Sequence, residues 1–131
     1  MSASAAPTPL IGPLAAVRVL TYDLDASRRF YGGDLALTES STSAEWVVYD
    51  VGGPQLVVEL ADSEDEDPEI AVGRFTGFSF AVTSAARVCE QLNGRGVTIV
   101  GHPELQPWGG TLAYVSDPAG NVITLVQYPT G

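Results

Sequence analysis

The chain repeats one order of secondary-structure signals, and this internal repeat constrains the fold more than any other feature. Each half reads as a strand, a capped helix and three further short strands, the first of which is predicted at Leu35–Glu39 in one half and near Val97–Val100 in the other. Laying Val17 on Phe78 places Asp23 on Ser84, so that the two strand-to-helix turns coincide. Aligning Tyr49 with Tyr114 places Glu59 on Thr124 without a gap between them. Because each half is too small to bury its own sheet face, the repeat predicts two packed modules with pseudo-twofold symmetry.

The predicted architecture is therefore one α+β domain built from two βαβββ modules. A length of 131 residues suits a single domain. Module one is predicted at about 14–61 and module two at about 71–128, joined by an acidic linker at about 62–70. That linker lacks the spacing and glycine of an EF-hand, so a solvated connection is favoured over a calcium loop. Residues 1–13 are expected to form a flexible arm, which either extends onto a partner chain or remains a disordered tail.

Charge and cysteine content exclude several classes of protein. The net charge is -10, from 16 acidic and 6 basic residues, which disfavours nucleic acid and anionic membrane surfaces as partners. The single cysteine, Cys89, excludes an intrachain disulfide and a thiolate zinc site, and it reads as a core residue. We see no signal-peptide pattern and no apolar run of membrane-spanning length, so a cytoplasmic location is expected.

Three motifs identify a family resemblance. They are residues 19–27 with Phe30-Tyr31, then Gln-Pro-Trp-Gly at 106–109, then Asp-Pro-Ala-Gly-Asn at 117–121. Together and in this order they resemble the vicinal-oxygen-chelate superfamily of glyoxalases, bleomycin resistance proteins and extradiol dioxygenases, over roughly 14–128. The resemblance implies curled mixed sheets whose concave sides form a ligand cup, with helices on the convex sides.

Strand alternation sorts the side chains between the two faces of each sheet. One set is apolar and is expected to pack under the helices: Val17, Val19, Val58, Leu60, Phe78, Phe80, Ile123 and Leu125. The other set is expected to line the cup: Ala16, Arg18, Leu20, Tyr49, Val57, Glu59, Gly77, Ser79, Ala81, Tyr114, Val122 and Thr124.

The metal chemistry of the superfamily is expected to be absent. The resemblance implies metal ligands at Ala16, Glu59, Gly77 and Thr124, and only Glu59 has a side chain that can ligate. One carboxylate cannot supply the three or more protein ligands of a catalytic metal site. The sole histidine, His102, reads as part of a Gly/Pro-rich loop away from these strands. No metal and no other cofactor is predicted.

The predicted ligand-binding residues are Arg18, Trp46, Tyr49, Glu59, Ser79, Trp108, Tyr114 and Thr124. Tyr49 and Tyr114 could stack on a planar ligand, although core packing is the alternative for the aromatic residues. Arg18 and Glu59 are expected to pair with each other or with the ligand.

The resemblance is closest to the metal-free bleomycin-resistance group, acidic dimers that sequester a cytotoxic natural product. It implies a homodimer that binds a bleomycin-, enediyne-, mitomycin- or quinone-like compound. The alternatives are a metal-independent isomerase or lyase that uses Glu59 catalytically, a glyoxalase- or dioxygenase-like metalloenzyme, and a scaffold whose cup has filled in.

Overall fold

The computed structural model, which describes residues 10–61 and 72–130, confirms an α+β fold of two modules. Module one contains β1 (Ala16–Thr21), α1 (Leu24–Arg28) with a π-helical continuation (Arg29–Asp34), β2 (Thr38–Thr42), β3 (Trp46–Asp50) and β4 (Gln55–Leu60). Module two contains β5 (Phe75–Ala81), α2 (Ala85–Gly94), β6 (Thr98–Leu105), β7 (Thr111–Ser116) and β8 (Val122–Gln127). The predicted linker at about 62–70 and most of the predicted arm lie outside the described residues.

The two modules form sheets with the same topology. The strand orders are β1-β4-β3-β2 and β5-β8-β7-β6. In each sheet the first and last strands of the module pair in parallel, and the other pairings are antiparallel. The repeat in the sequence therefore corresponds to a repeat in the structure.

Both helices begin where the repeat placed the turns. The Asp23 side chain accepts a hydrogen bond from the Ala26 backbone N–H at 3.0 Å, and the Ser84 hydroxyl accepts one from the Arg87 N–H at 3.2 Å. Each contact satisfies an amide that the first helical turn leaves unpaired. These N-caps fix the direction in which each chain leaves its first strand.

Two predicted strands have different bounds in the structure. Residues 35–39 were expected as a strand, but the Leu35 and Leu37 amides donate to the carbonyls of Phe30 and Tyr31, both at 2.9 Å. These hydrogen bonds close the π-helical turn, so β2 starts only at Thr38. The strand near Val97–Val100 extends to Leu105 as β6, so His102 lies in a strand and not in a loop.

The core lies between the sheets and the helices, as the alternation predicted. Val19, Val58, Ile123 and Leu125 are buried, and the cluster that they form includes side chains from both modules. Leu60, at the end of β4, is the exception within the predicted set, since 39% of it is exposed. Cys89 is buried in the same cluster, and burial raises the pKa of its thiol.

Asp117 joins the two modules through buried hydrogen bonds. Its Oδ2 accepts from the Tyr31 hydroxyl of module one at 2.7 Å and from Asn121 Nδ2 at 3.0 Å. Its Oδ1 accepts from the backbone amides of Ala119 and Asn121 at 3.0 and 2.8 Å. Asp117 and Tyr31 are 4% and 0% exposed. The carboxylate therefore holds its own turn and the opposite module at the same time.

Asn121 completes this junction. Its side-chain nitrogen also donates to the Leu20 carbonyl of β1 at 2.8 Å. Its oxygen accepts from the backbone amides of Gly73 and Arg74, just before β5, at 3.0 and 3.3 Å. The Asp-Pro-Ala-Gly-Asn motif is thus a structural connection between the modules, since its two polar side chains are occupied within the protein.

We expect the protein to lose stability as the pH rises above about 10, the ordinary pKa of tyrosine. Burial, and then the charge and hydrogen bond of Asp117, raise the pKa of Tyr31. A phenol with a raised folded-state pKa contributes its full stability below the unfolded-state pKa and loses it above that value. Urea unfolding between pH 8 and 11 should show that the free energy of unfolding falls as the pH rises. This fall should be less steep in Tyr31→Phe. An equal slope in Tyr31→Phe and in a Tyr128→Phe control would contradict the assignment.

Candidate ligand-binding face

The candidate site consists of the two sheet faces that point away from the helices, here called the open faces. On module one, β1, β4 and β3 place Arg18, Glu59 and Trp46 on the open face. Arg18 is exposed, Glu59 is half-buried, and 41% of Trp46 is exposed. Trp46 lies directly opposite Glu59 in the β3–β4 pairing. The structure therefore brings these three predicted residues onto one surface.

Module two places Ser79, Thr124 and Tyr114 in one row across three strands. Thr124 is paired with Ser79 on one side and with Tyr114 on the other. Ser79 is exposed, Tyr114 is half-buried, and Thr124 is buried between its neighbours. Hydroxyl groups thus cross the middle of this sheet on the face that the sequence predicted.

Phe75 is a member of the module-two open face that the sequence reasoning missed. Its ring centroid lies 6.2 Å from that of Tyr114, at an interplanar angle of 57°. The Phe75 side chain is 60% exposed, so the pair is open on one side. Phe75 lies on the open face with Ser79, four residues before it, and extending the alternation backwards would have found it. The two rings form an aromatic surface beside the small residues Gly77 and Ser79.

Tyr114 also has a structural role. Its ring covers Gly101 of β6, where an added Cβ would lie 2.7 Å from Tyr114 Cδ2. The glycine therefore gives the ring room to lie across the strand. This packing fixes the position of the Tyr114 ring before any ligand binds.

Tyr49 is not on the open face, so its predicted placement was wrong. It pairs with Leu56 on the helix side, is 0% exposed, and packs 6.0 Å from Tyr31 between ring centroids. Its hydroxyl is buried without a hydrogen-bond partner among the described residues. Burial, and then the nearby Glu39 charge, raise the pKa of this phenol.

A one-residue difference between the modules explains the error. Residues 51–54 connect β3 to β4, whereas the five residues 117–121 connect β7 to β8. Val19–Val58–Val47 in module one therefore corresponds to Phe80–Leu125–Ala113 in module two. A gapless alignment shifts β3 by one residue, and such a shift moves every side chain to the other face.

The positions implied for metal ligands do not fit a metal ion. In module one, Ala16 is opposite Gln55 and Glu59 is opposite Leu20, four residues further along the strands. This separation is roughly 13 Å at about 3.3 Å per residue. Within the described part of the chain, no three His, Cys, Asp or Glu side chains cluster as a metal site would require. His102 lies on the opposite side, in a groove between α2 and β6.

Arg18 and Glu59 do not form an ion pair with each other. Arg28–Glu39, at 2.9 Å, is the only ion pair among residues 10–61 and 72–130. Arg18 is opposite Val57, so it lies diagonally to Glu59 on the open face. The two residues were expected to pair because an unpaired buried charge is unfavourable. Arg18 is exposed and Glu59 is only half-buried, so this unfavourable burial does not occur.

Trp108 lies apart from the Tyr114 row. It is in the turn that joins β6 to β7, half exposed, with its ring 6.3 Å from that of Tyr128. Thr111–Gln127, the β7–β8 pair nearest that turn, is three pairs along from Tyr114–Thr124. That distance is roughly 10 Å along the strands. Trp108 therefore belongs to the edge of the surface and not to its centre.

Comparison with known proteins identifies the family. Residues 13–125 match the sequence profile of the Glyoxalase/Bleomycin resistance protein/Dioxygenase superfamily. The chain belongs to this superfamily. A superfamily member from Sphaerobacter thermophilus is similar, with 25% identity, a TM-score of 0.75, and coverage of 92% of this chain and 100% of that chain. A glyoxalase-related enzyme from Fulvimarina pelagi has 25% identity, a TM-score of 0.74, and coverage of 92% and 94%.

A further solved structure, that of UcmS2, has 21% identity, a TM-score of 0.77, and coverage of 91% of this chain and 100% of its own. At that identity the likeness shows the fold alone. No curated protein sequence matches this superfamily member significantly. Among residues 10–61 and 72–130, no helix combines the length and hydropathy that a bilayer crossing requires.

Proposed function

We propose that the protein binds a small natural product on its open faces without a metal ion and holds it chemically unchanged. Sequestration of this kind protects a cell from a cytotoxic compound. The observation that carries the proposal is the set of residues at the expected metal positions, where Ala16, Gly77 and Thr124 offer no ligating carboxylate or imidazole. The fourth implied position, Glu59, lies four residues along the strands from Ala16, and the residue that corresponds to Thr124 in the observed register is Val57, which cannot ligate a metal either.

The chemistry of the module-two open face suits a planar ligand. Phe75 and Tyr114 present an aromatic surface, and the small residues Gly77, Ser79 and Ala81 beside it are exposed. Aromatic groups that stack on such rings gain about 0.5–1.5 kcal/mol beyond the area that they bury. The hydroxyls of Ser79, Thr124 and Tyr114 supply the hydrogen bonds that orient a ligand.

Charge favours a cationic ligand over an anionic one. The net charge of -10 attracts cations from a distance and repels phosphates and carboxylates. On module one, Glu59 can accept a hydrogen bond from a ligand and Arg18 can donate one, since neither is engaged in an ion pair among the described residues. A planar compound with a basic group, such as a bleomycin- or quinone-type antibiotic, meets both requirements.

We also propose that the protein acts as a cytoplasmic homodimer. A binding site for a drug-sized ligand buries about 70–90% of the surface of that ligand. An open sheet face covers a ligand from one side only, and Phe75, Trp46 and Arg18 remain exposed in the single chain. A second copy placed over the open faces would cover the other side and bury these aromatic rings.

A ligand panel with chemical readout tests the proposal. Purified protein of measured metal content is mixed with a bleomycin, an enediyne, a mitomycin and a quinone antibiotic, and the melting temperature and light-scattering mass are recorded. A ligand at a hundredfold its dissociation constant should stabilise the protein by about 2.7 kcal/mol. Light scattering should give the mass of a dimer, and mass spectrometry should show that the recovered ligand is unaltered.

Each other outcome of the panel contradicts part of the proposal. A chemically altered ligand would show an enzyme, and Glu59→Gln would then test that carboxylate as the acid or base, with Glu45→Gln as the matched surface control. Stoichiometric metal in the purified protein would contradict metal independence. No stabilisation by any of the four compound classes would contradict the drug-binding proposal itself.

A further inference from the structure

A second cleft lies on the helix side of the sheets, in the seam between the modules. Its volume is about 260 Å³. Module one contributes Asp34, at the end of the π-helical turn, and Leu35 and Leu37 just after it, and module two contributes side chains of α2, β5 and β8. Leu125, which lines it, is on the face opposite to Thr124. The cleft is therefore separate from the open faces and independent of the function proposed for them.

The walls of the cleft are mainly apolar. Leu92 and Leu125 are each 3% exposed at its base, while Leu35, Leu37 and Val88 are half-buried at its sides. A cavity of about 150 Å³ lined by aliphatic and aromatic side chains stays dry and binds benzene. Pockets that bind drug-sized ligands have volumes of about 300–1,000 Å³. The volume of this cleft therefore suits a molecule with one aromatic ring.

The module-one wall is held in place by its backbone. Ala36 has a φ of 59°, in the left-handed region that residues with a side chain rarely adopt. The amides on either side of it, of Leu35 and Leu37, are hydrogen-bonded to the π-helical turn. Such a conformation persists only where the surrounding structure fixes it. The Leu35 and Leu37 side chains are thus positioned before a ligand arrives.

The rim of the cleft carries both donors and acceptors. Arg95, at the end of α2, donates from Nη1 to the Asp34 carbonyl and closes the seam on one side. A guanidinium has five N–H donors, so others remain for a ligand. Asp34 and Gln91 also line the cleft and offer acceptor oxygens. The charges of Arg95 and Asp34 balance, so the rim favours a polar but uncharged group.

We propose that this seam is a binding site for a small, uncharged phenol, with its ring among the leucines and its hydroxyl at the rim. A phenol hydroxyl both accepts and donates a hydrogen bond, which matches Arg95 with Asp34 or Gln91. The net charge of -10 and the Asp34 carboxylate disfavour the corresponding carboxylic acid. A ligand of this size is expected to bind with a dissociation constant on the order of 1–10 mM.

Phenol, benzoate and toluene, titrated separately into isotope-labelled full-length protein, test the site. Phenol should shift the backbone amide resonances of Leu35, Leu37, Val88 and Leu92 and leave those of Tyr114 and Thr124 in place. Toluene should bind the same residues more weakly, because it satisfies no rim group, and benzoate should bind most weakly. Binding of benzoate at least as tight as that of phenol would overturn the assignment to an uncharged phenol.

Filling the cleft provides the control. Val88→Phe should weaken phenol binding at least tenfold, and Leu37→Phe fills the cleft from the other module if the first variant folds poorly. Val57→Phe adds the same bulk on the module-one open face and should leave phenol binding unchanged. Unchanged affinity in both cleft-filling variants, or shifts confined to the open faces, would overturn the proposal. A failure of drug binding to the open faces would not affect this result.

Discussion

Asp117→Ala is expected to destabilise the protein by about 3 kcal/mol or more, a large fraction of the roughly 5–15 kcal/mol by which a small domain is stable. The substitution removes the acceptor of four hydrogen bonds, one of which comes from the Tyr31 hydroxyl in the other module. Each buried donor left without a partner costs about 1–3 kcal/mol. Urea unfolding followed by circular dichroism measures the change.

Two further variants separate the contact between modules from the turn. Tyr31→Phe removes one donor and should cost about 1–3 kcal/mol. Asp50→Ala removes the same charge from an exposed turn, where the carboxylate accepts one hydrogen bond from the Gly52 amide at 3.0 Å, and should cost less than about 1 kcal/mol. If Asp117→Ala were no more destabilising than Asp50→Ala, the junction would not hold the modules together.

Tyr114→Ala is expected to weaken ligand binding by about tenfold to a hundredfold, because the stacking surface that it forms with Phe75 is lost. Tyr114→Phe keeps the ring and removes the hydroxyl, so it should weaken ligand binding less than Tyr114→Ala. Calorimetric titration with the ligand found in the panel measures both. Phe75→Ala should also weaken binding, and its exposed position makes it the safer variant for folding.

Tyr49 is the matched control for Tyr114, since the sequence predicted the same role for both. Tyr49→Phe should leave ligand affinity unchanged, because its ring lies on the helix side. It should also preserve or slightly raise stability, since it removes a buried hydroxyl without a partner among the described residues. Equal losses of affinity in Tyr49→Phe and Tyr114→Phe would contradict the face assignment.

The sequence predicted most reliably where spacing is local. Val19 precedes Asp23 by four residues, as Phe80 precedes Ser84, so one alignment found both strand-to-helix turns and the buried faces of β1 and β5. The β3–β4 hairpin failed because its connection is one residue shorter than that of β7–β8, and no residue within the strands signals the difference. The alignment with Tyr114 therefore placed Tyr49, the one β3 residue assigned to the cup lining, on the wrong face.

The seam between the modules could not be predicted from either module by itself. Tyr31 and Asp117 are separated by 86 positions, and neither motif indicates that the other is its partner. The π-helical turn that places Leu35 and Leu37 at the seam overrides an apolar pattern that favours a strand. Contacts of this kind depend on how two completed units pack, and local patterns do not encode that geometry.

Whether the open faces bind their ligand without a metal ion is tested by measuring ligand binding before and after the protein is treated with a chelator. The affinity of the panel ligand is measured by calorimetry on protein as purified and on protein treated with a chelator, and the ligand is recovered for mass spectrometry. Metal-independent binding predicts equal affinities and an unaltered ligand. Loss of binding after chelation, restored by adding back a divalent cation, would contradict it.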